Sequence, residues 1–175
     1  MRYTVLILIL SIMSIRLSAQ INLPKNIDQR VDTILRIIEQ DSIIYLTKGV
    51  GIGGSPTVQY ELAEHLKDNI SSERLKQIAL THPSAVVRGA VFNALLRKDA
   101  HAAVEVAIEG IEDMTHFLTQ SGCCIGDDTL SIMRVQYIIL NSKYYHVPEK
   151  DLERLCEVVL YSKDVKRLDT YGHLY

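Results

Sequence analysis

The stretch from Ser121 to Asp128 reads SGCCIGDD and holds two thiols and two carboxylates. Thiolates are nucleophiles and soft-metal ligands, and paired carboxylates serve acid–base work or hard cations. The spacing argues against most of these uses. Structural zinc sites and thioredoxin-like redox centres separate their cysteines, whereas Cys123 and Cys124 are adjacent. Calcium takes about six oxygens, and Asp127 and Asp128 bring too few. The plainer expectation is that the aspartates cap a following helix and that the cysteines pack as small buried apolar groups. Cys156 makes the count odd, so at least one thiol stays free or bridges to another chain. One internal bridge, from Cys123 or Cys124 to Cys156, is also open.

A second stretch, 49–57, reads GVGIGGSPT. Gly51, Gly53 and Gly54 end any regular element. Ser55 then reads as an N-cap, with Pro56 at the first helical position, where its missing N–H costs nothing. A helix start of this kind suits an anion. It is no Walker loop, because Ser55 stands where lysine should follow Gly54. Nor does a clear strand and acidic partner complete a dinucleotide fingerprint. A flexible binding or spacer loop is the remaining reading.

A third stretch, ELAEHL, places Glu61, Glu64 and His65 on one helix. It is similar to the inverted zinc-protease motif but lacks its first histidine. His65 falls on the apolar face of that helix and is expected in the core. His82, His101 and His116 are scattered. No nucleophile, base and orienting group are fixed together, so catalysis, a metal and a cofactor are not expected.

The elements that must carry these residues read as helices. Ile27, Val31, Ile34, Leu35 and Ile38 form one apolar face behind Pro24. Val58, Leu62, His65 and Leu66 form a second, and Leu75, Ile78 and Ala79 a third. His82-Pro83 stops that helix, since the residue before proline avoids the helical region. Val86, Val87, Ala90, Val91, Ala94 and Leu95 make a broad stripe on the fourth. Ala103, Val104, Ala107, Ile108 and Ile111 mark the fifth. Residues 130–140 fit a helix through Leu130, Met133, Tyr137 and Leu140, but Met133, Val135, Tyr137 and Ile139 also alternate like a strand. The helical reading is preferred, with Asp127 and Asp128 as caps. A last helix starts at Pro148 and buries Leu152, Leu155, Cys156 and Val159. The polar tail from Lys163 is expected to be loose. The start of 41–57 is ambiguous between helix and strand, and 112–128 reads as irregular.

A short helix, a tight turn with proline, then VVRGAVFNALL resembles a HEAT-like repeat unit over about residues 72–98. Pro83, Val87, Arg88, Ala90, Ala94 and Leu95 carry the likeness. No aspartate partner for Arg88 is evident in the sequence. The resemblance implies an all-α fold: a right-handed stack of about seven helices paired antiparallel, with Pro83, Val87 and Arg88 in structural roles. It also implies a protein-binding scaffold. In such a stack the turns within each pair lie along one edge. Segments 47–56, 82–84 and 112–128 would then share a rim, and insertions on one edge mark a binding face. The candidate rim residues are Gly51, Gly53, Gly54, Ser55, Ser121, Cys123, Cys124, Asp127 and Asp128.

The chain begins MRYTVLILILSIMSIRLSAQ, with a basic start, an apolar run from Val5 to Met13 and small residues at Ser18-Ala19. This pattern predicts a secretory signal peptide over 1–19, cut after Ala19, and a periplasmic or secreted domain over 20–175 with no stable membrane anchor. The segment holds two of the nineteen basic residues and no acidic ones, leaving 17 basic against 21 acidic side chains, a net −4. A mildly acidic chain without a basic stripe excludes nucleic acid as a partner. The expected function is therefore an exported scaffold that binds a protein through its rim. The rivals are an immunity or inhibitor protein that caps a secreted enzyme, and a hydrolase using the rim's Asp and Cys side chains.

Overall fold

The structure, a computed structural model, describes residues 23–51 and 53–161. The expected signal segment and the polar tail lie outside the described residues. Among the described residues seven helices form: α1 Ile27–Glu39, α2 Val58–Asn69, α3 Ser72–Thr81, α4 Ala85–Lys98, α5 Ala100–Glu109, α6 Leu130–Asn141 and α7 Glu149–Tyr161. They do not make an all-α stack. Four strands, β1 Ile43–Val50, β2 Ser55–Pro56, β3 His116–Gly122 and β4 Cys124–Thr129, join in one mixed sheet of order β2-β1-β3-β4. The fold is mixed α and β, and the expectation of a purely helical superhelix is overturned. The physical reason lies in the two segments read as loops. β1 and β3 pair in parallel across the chain, Ile44 opposite Thr119, so each supplies the backbone partners the other lacks.

Caps set the helix starts. Asn26, Ser71, Ser84 and Asp99 each accept N–H groups from the first turn of α1, α3, α4 and α5. Two expected caps move. Thr57, not Ser55, caps α2, because Ser55-Pro56 pairs with Val50 and Gly49 as β2. Thr129, not Asp127 or Asp128, caps α6: it directly precedes the helix and its hydroxyl accepts from the Ile132 N–H, whereas both aspartates lie further back in β4. Residues 130–140 are helical.

α4 is the centre of the molecule. Val87, Ala90, Val91, Ala94 and Leu95 are buried, and so are Phe92, Asn93 and Leu96 on the remaining sides. α2, α3, α5 and α6 surround it, and one face of the sheet lies against it. Gly89 permits that approach: a side chain there would collide with Ile44 of β1, and Met133 of α6 closes the space beside it. The Asn93 amide donates to the Tyr45 and Leu46 carbonyls at 3.3 and 3.2 Å, and the Tyr137 hydroxyl donates to Leu46 at 2.6 Å. The sheet is thus fixed to the helices by polar contacts as well as by Ile44.

One edge of β1 is closed in an unusual way. Gln59 of α2 is buried, and its amide takes the place of a neighbouring strand. Its oxygen accepts from the Tyr45 N–H at 2.9 Å, and its nitrogen donates to the Ile43 carbonyl at 2.9 Å and to Asp41 at 3.0 Å.

Candidate functional site

The expected rim is two places, not one. The hairpin tips meet at the far end of the sheet. Gly51 N–H donates to the Gly122 carbonyl at 2.9 Å, and Gly122 N–H donates to the Thr47 hydroxyl at 3.0 Å. Gly51, Gly54 and Gly122 take positive φ, the conformation their turns require. In the β3–β4 hairpin Ser121 pairs with Cys124 across a two-residue turn, Gly122-Cys123. Gly51, Gly53, Gly54, Ser55, Ser121, Cys123 and Cys124 therefore cluster around the two tips.

The tight turn at 82–84 lies at the opposite end. Arg88 donates to the His82 and Pro83 carbonyls at 2.7 and 3.0 Å, and to Asp113 and the Thr115 hydroxyl just before β3. β3 spans seven residues, so the turn and the tips stand about 20 Å apart. The carboxylate partner of Arg88 is Asp113, which sequence reasoning missed. Asp113 also faces Arg134, whose side chain is wholly buried and donates to the Ala79 carbonyl at 2.6 Å. Burial pushes the Asp113 carboxyl up, but the Thr115 hydroxyl, Arg88 and Arg134 outweigh it and hold it below the usual carboxylate range. Burial pulls Arg134 down to about 10 despite Asp113. One signal could have found it: Ile132-Met133-Arg134 echoes Val86-Val87-Arg88.

Asp127 and Asp128 lie between these ends on β4, the outer strand. Asp128 opposes Phe117 on the helix-facing side, and burial first, then the Asp127 charge, raises its carboxyl. Asp127 opposes Leu118 on the open side. That open side alternates as β3 dictates: Phe117 and Thr119 point to the helices, while His116, Leu118 and Gln120 face out. Leu118 is 40 % exposed and Ile125, opposite Gln120, is 61 % exposed. Comparison with known protein families, curated proteins and solved structures finds no match. The open face of the sheet offers apolar area flanked by His116 and Asp127, and the other face packs on α4.

All three cysteines are exposed and free, contrary to the expectation of buried packing, and no bridge to Cys156 forms. Cys123 and Cys124 ride on a hairpin tip, where no core is available to cover them. His65 is not a core residue. With Lys48, Tyr60, Glu61, Glu64 and Asp68 it lines an open cleft of about 430 Å³ between β1 and α2. Beneath the cleft, Arg97 stacks on the Tyr60 ring at 4.1 Å and faces Glu64 at 3.1 Å. Among the described residues no three His, Cys, Asp or Glu side chains converge as a metal site, and no helix is long and apolar enough to cross a membrane. His101 meets Asp151 at 2.8 Å, joining α5 to α7.

Proposed function

We propose that this chain is an exported binding protein that takes a protein partner on the open face and paired hairpin tips of its sheet, with no catalysis of its own. The observation that carries the reading is the exposed pair Leu118 and Ile125 on neighbouring strands of a sheet whose other face is anchored. Neighbouring exposed apolar side chains make a contiguous patch on which an interface can centre, and the polar residues around them would set orientation. Export rests on the apolar segment at 5–13 and the small residues at Ser18-Ala19. In this reading Gly51, Ser55 and Cys123 at the tips border the open face and share the binding role expected of the rim, while Pro83 and Arg88 serve the scaffold.

The test is capture from envelope extract with the mature chain, set against a Leu118→Asp/Ile125→Asp variant shown by circular dichroism to be folded. Both positions face solvent, so the fold is expected to survive. A partner retained by the parent and lost by the variant supports the reading. A partner retained equally by both overturns it.

A further inference from the structure

The β3–β4 turn carries more than a contact surface. The sulfurs of Cys123 and Cys124 lie 4.0 Å apart, and both are exposed. Their backbone is held before any ligand arrives. The Gly122 N–H is bonded to Thr47, and its carbonyl accepts from Gly51 N–H at 2.9 Å and from the Gln120 amide at 3.3 Å. Cys124 is itself a ladder residue opposite Ser121. Such fixing lowers the ordering cost of ligation.

The pair is poorly placed to close on itself. Neighbouring Cα atoms across a trans peptide lie about 3.8 Å apart, short of the roughly 4.4 Å that disulfides need. It is better placed to share an ion. Two sulfurs at about 2.3 Å from one metal lie about 3.8 Å apart at tetrahedral angles and about 4.6 Å apart when linear. The observed 4.0 Å lies between these limits and nearer the tetrahedral one, so linear binding would open the sulfurs by about 0.6 Å. Zinc asks for four ligands and calcium for six or more. Among the described residues no third His, Cys, Asp or Glu converges here. Soft thiolates select soft ions, and closed-shell monovalent ions accept two-fold coordination.

We propose that Cys123 and Cys124 form a two-thiolate site for a soft monovalent cation of the Cu(I) class. Binding moves no electrons: two S–H protons leave to solvent, two S–metal bonds form, and the ion keeps its oxidation state. The site is independent of the protein-binding reading, which uses Leu118 and Ile125.

The experiment is an anaerobic titration of the phosphine-reduced full chain with Cu(I), in competition with a chromogenic Cu(I) chelator. The parent and Cys156→Ser are expected to bind one ion per chain, as monomers by light scattering. Cys123→Ser and Cys124→Ser are each expected to weaken binding by at least about 100-fold, since even an outer-shell partner is worth about 10–100-fold. The affinity is expected to rise with pH as protons are released. Unchanged affinity in either single variant, loss in Cys156→Ser, or an ion shared between two chains would each overturn the proposal. Circular dichroism of each variant separates ligand loss from misfolding.

Discussion

Arg88 and Arg134 meet at a single carboxylate oxygen: their Nε and Nη1 atoms lie 3.1 and 3.7 Å from Oδ2 of Asp113. Each arginine also reaches back to the end of the helix before its own. Arg88 donates to the His82 carbonyl after α3, and Arg134 to the Gly110 carbonyl after α5 at 3.5 Å. Helix C-termini carry partial negative charge, so the same fastening is used twice in successive helix pairs. Asp113 ties the two fastenings together.

Removing Asp113 is expected to be the costliest of these changes. Asp113→Ala leaves the fully buried Arg134 without its counter-charge, which costs about 3–5 kcal/mol. For a chain of this size that is a fall of roughly 10 °C in Tm. Arg88→Leu leaves Arg134 to balance Asp113, so its fall is expected to be several degrees and smaller. Thermal melts by circular dichroism decide, and an Asp113→Ala chain that melts with the parent would count against the network.

The His101–Asp151 contact predicts a pH dependence. The hydrogen bond to Asp151 is the chief reason that His101 holds its proton above the ordinary histidine value, and the charges of Asp151, Glu105 and Asp99 add to it. A folded-state value raised above the unfolded one gives stability that is full below about pH 6.5 and lost as pH rises through the raised value. The attachment of α7 to α5 is expected to loosen over that interval, read as faster amide exchange in α7. In His101→Gln the pH dependence is expected to vanish. A profile identical to the parent's would refute the assignment.

Gly89→Ala is expected to cost about 1–3 kcal/mol, because its methyl group is forced against Ile44 with Met133 alongside. Ile44→Val removes the colliding methyl group. In urea melts the double variant Gly89→Ala/Ile44→Val is expected to be more stable than the sum of the single losses, by about 0.5 kcal/mol or more. Strict additivity would show that the sheet does not rest on α4 at this point.

Gln59→Leu strips the Tyr45 N–H and the Ile43 carbonyl of their partner, at about 1–3 kcal/mol for each group left buried. The Tyr45 amide is expected to exchange with solvent at least tenfold faster than in the parent. Undiminished protection there would mean that the amide does not stand in for a strand.

Much of the helical frame could be read from the sequence, and the sheet could not. Val31, Ile34 and Ile38 of α1 and the α4 stripe announce themselves by period, and proline and serine punctuate the turn between α3 and α4. β3 buries only Phe117 and Thr119, and β4 contains Gly126, Asp127 and Asp128, residues that strands disfavour. β3 becomes a strand because β1, some seventy residues earlier, supplies its hydrogen bonds, and β4 then pairs with β3 as the return arm of a hairpin. Pairing over that distance leaves no local mark. The hairpin turn did leave one: glycine at its first position, Gly122. Asp113 was hidden for another reason, since a loop carboxylate paired with helix arginines has no period to betray it, and only the echo of Val86-Val87-Arg88 in Ile132-Met133-Arg134 pointed to Arg134.

Gln59 has one more consequence. Its amide occupies the margin of β1, and Pro56 has no N–H to offer along β2, so that flank of the sheet cannot accept a further strand. β4 is the remaining margin, and a second copy laid antiparallel there would set Asp127 and Asp128 against their own kind. A fibre built by strand addition needs two receptive margins, and among the described residues this sheet offers β4 alone.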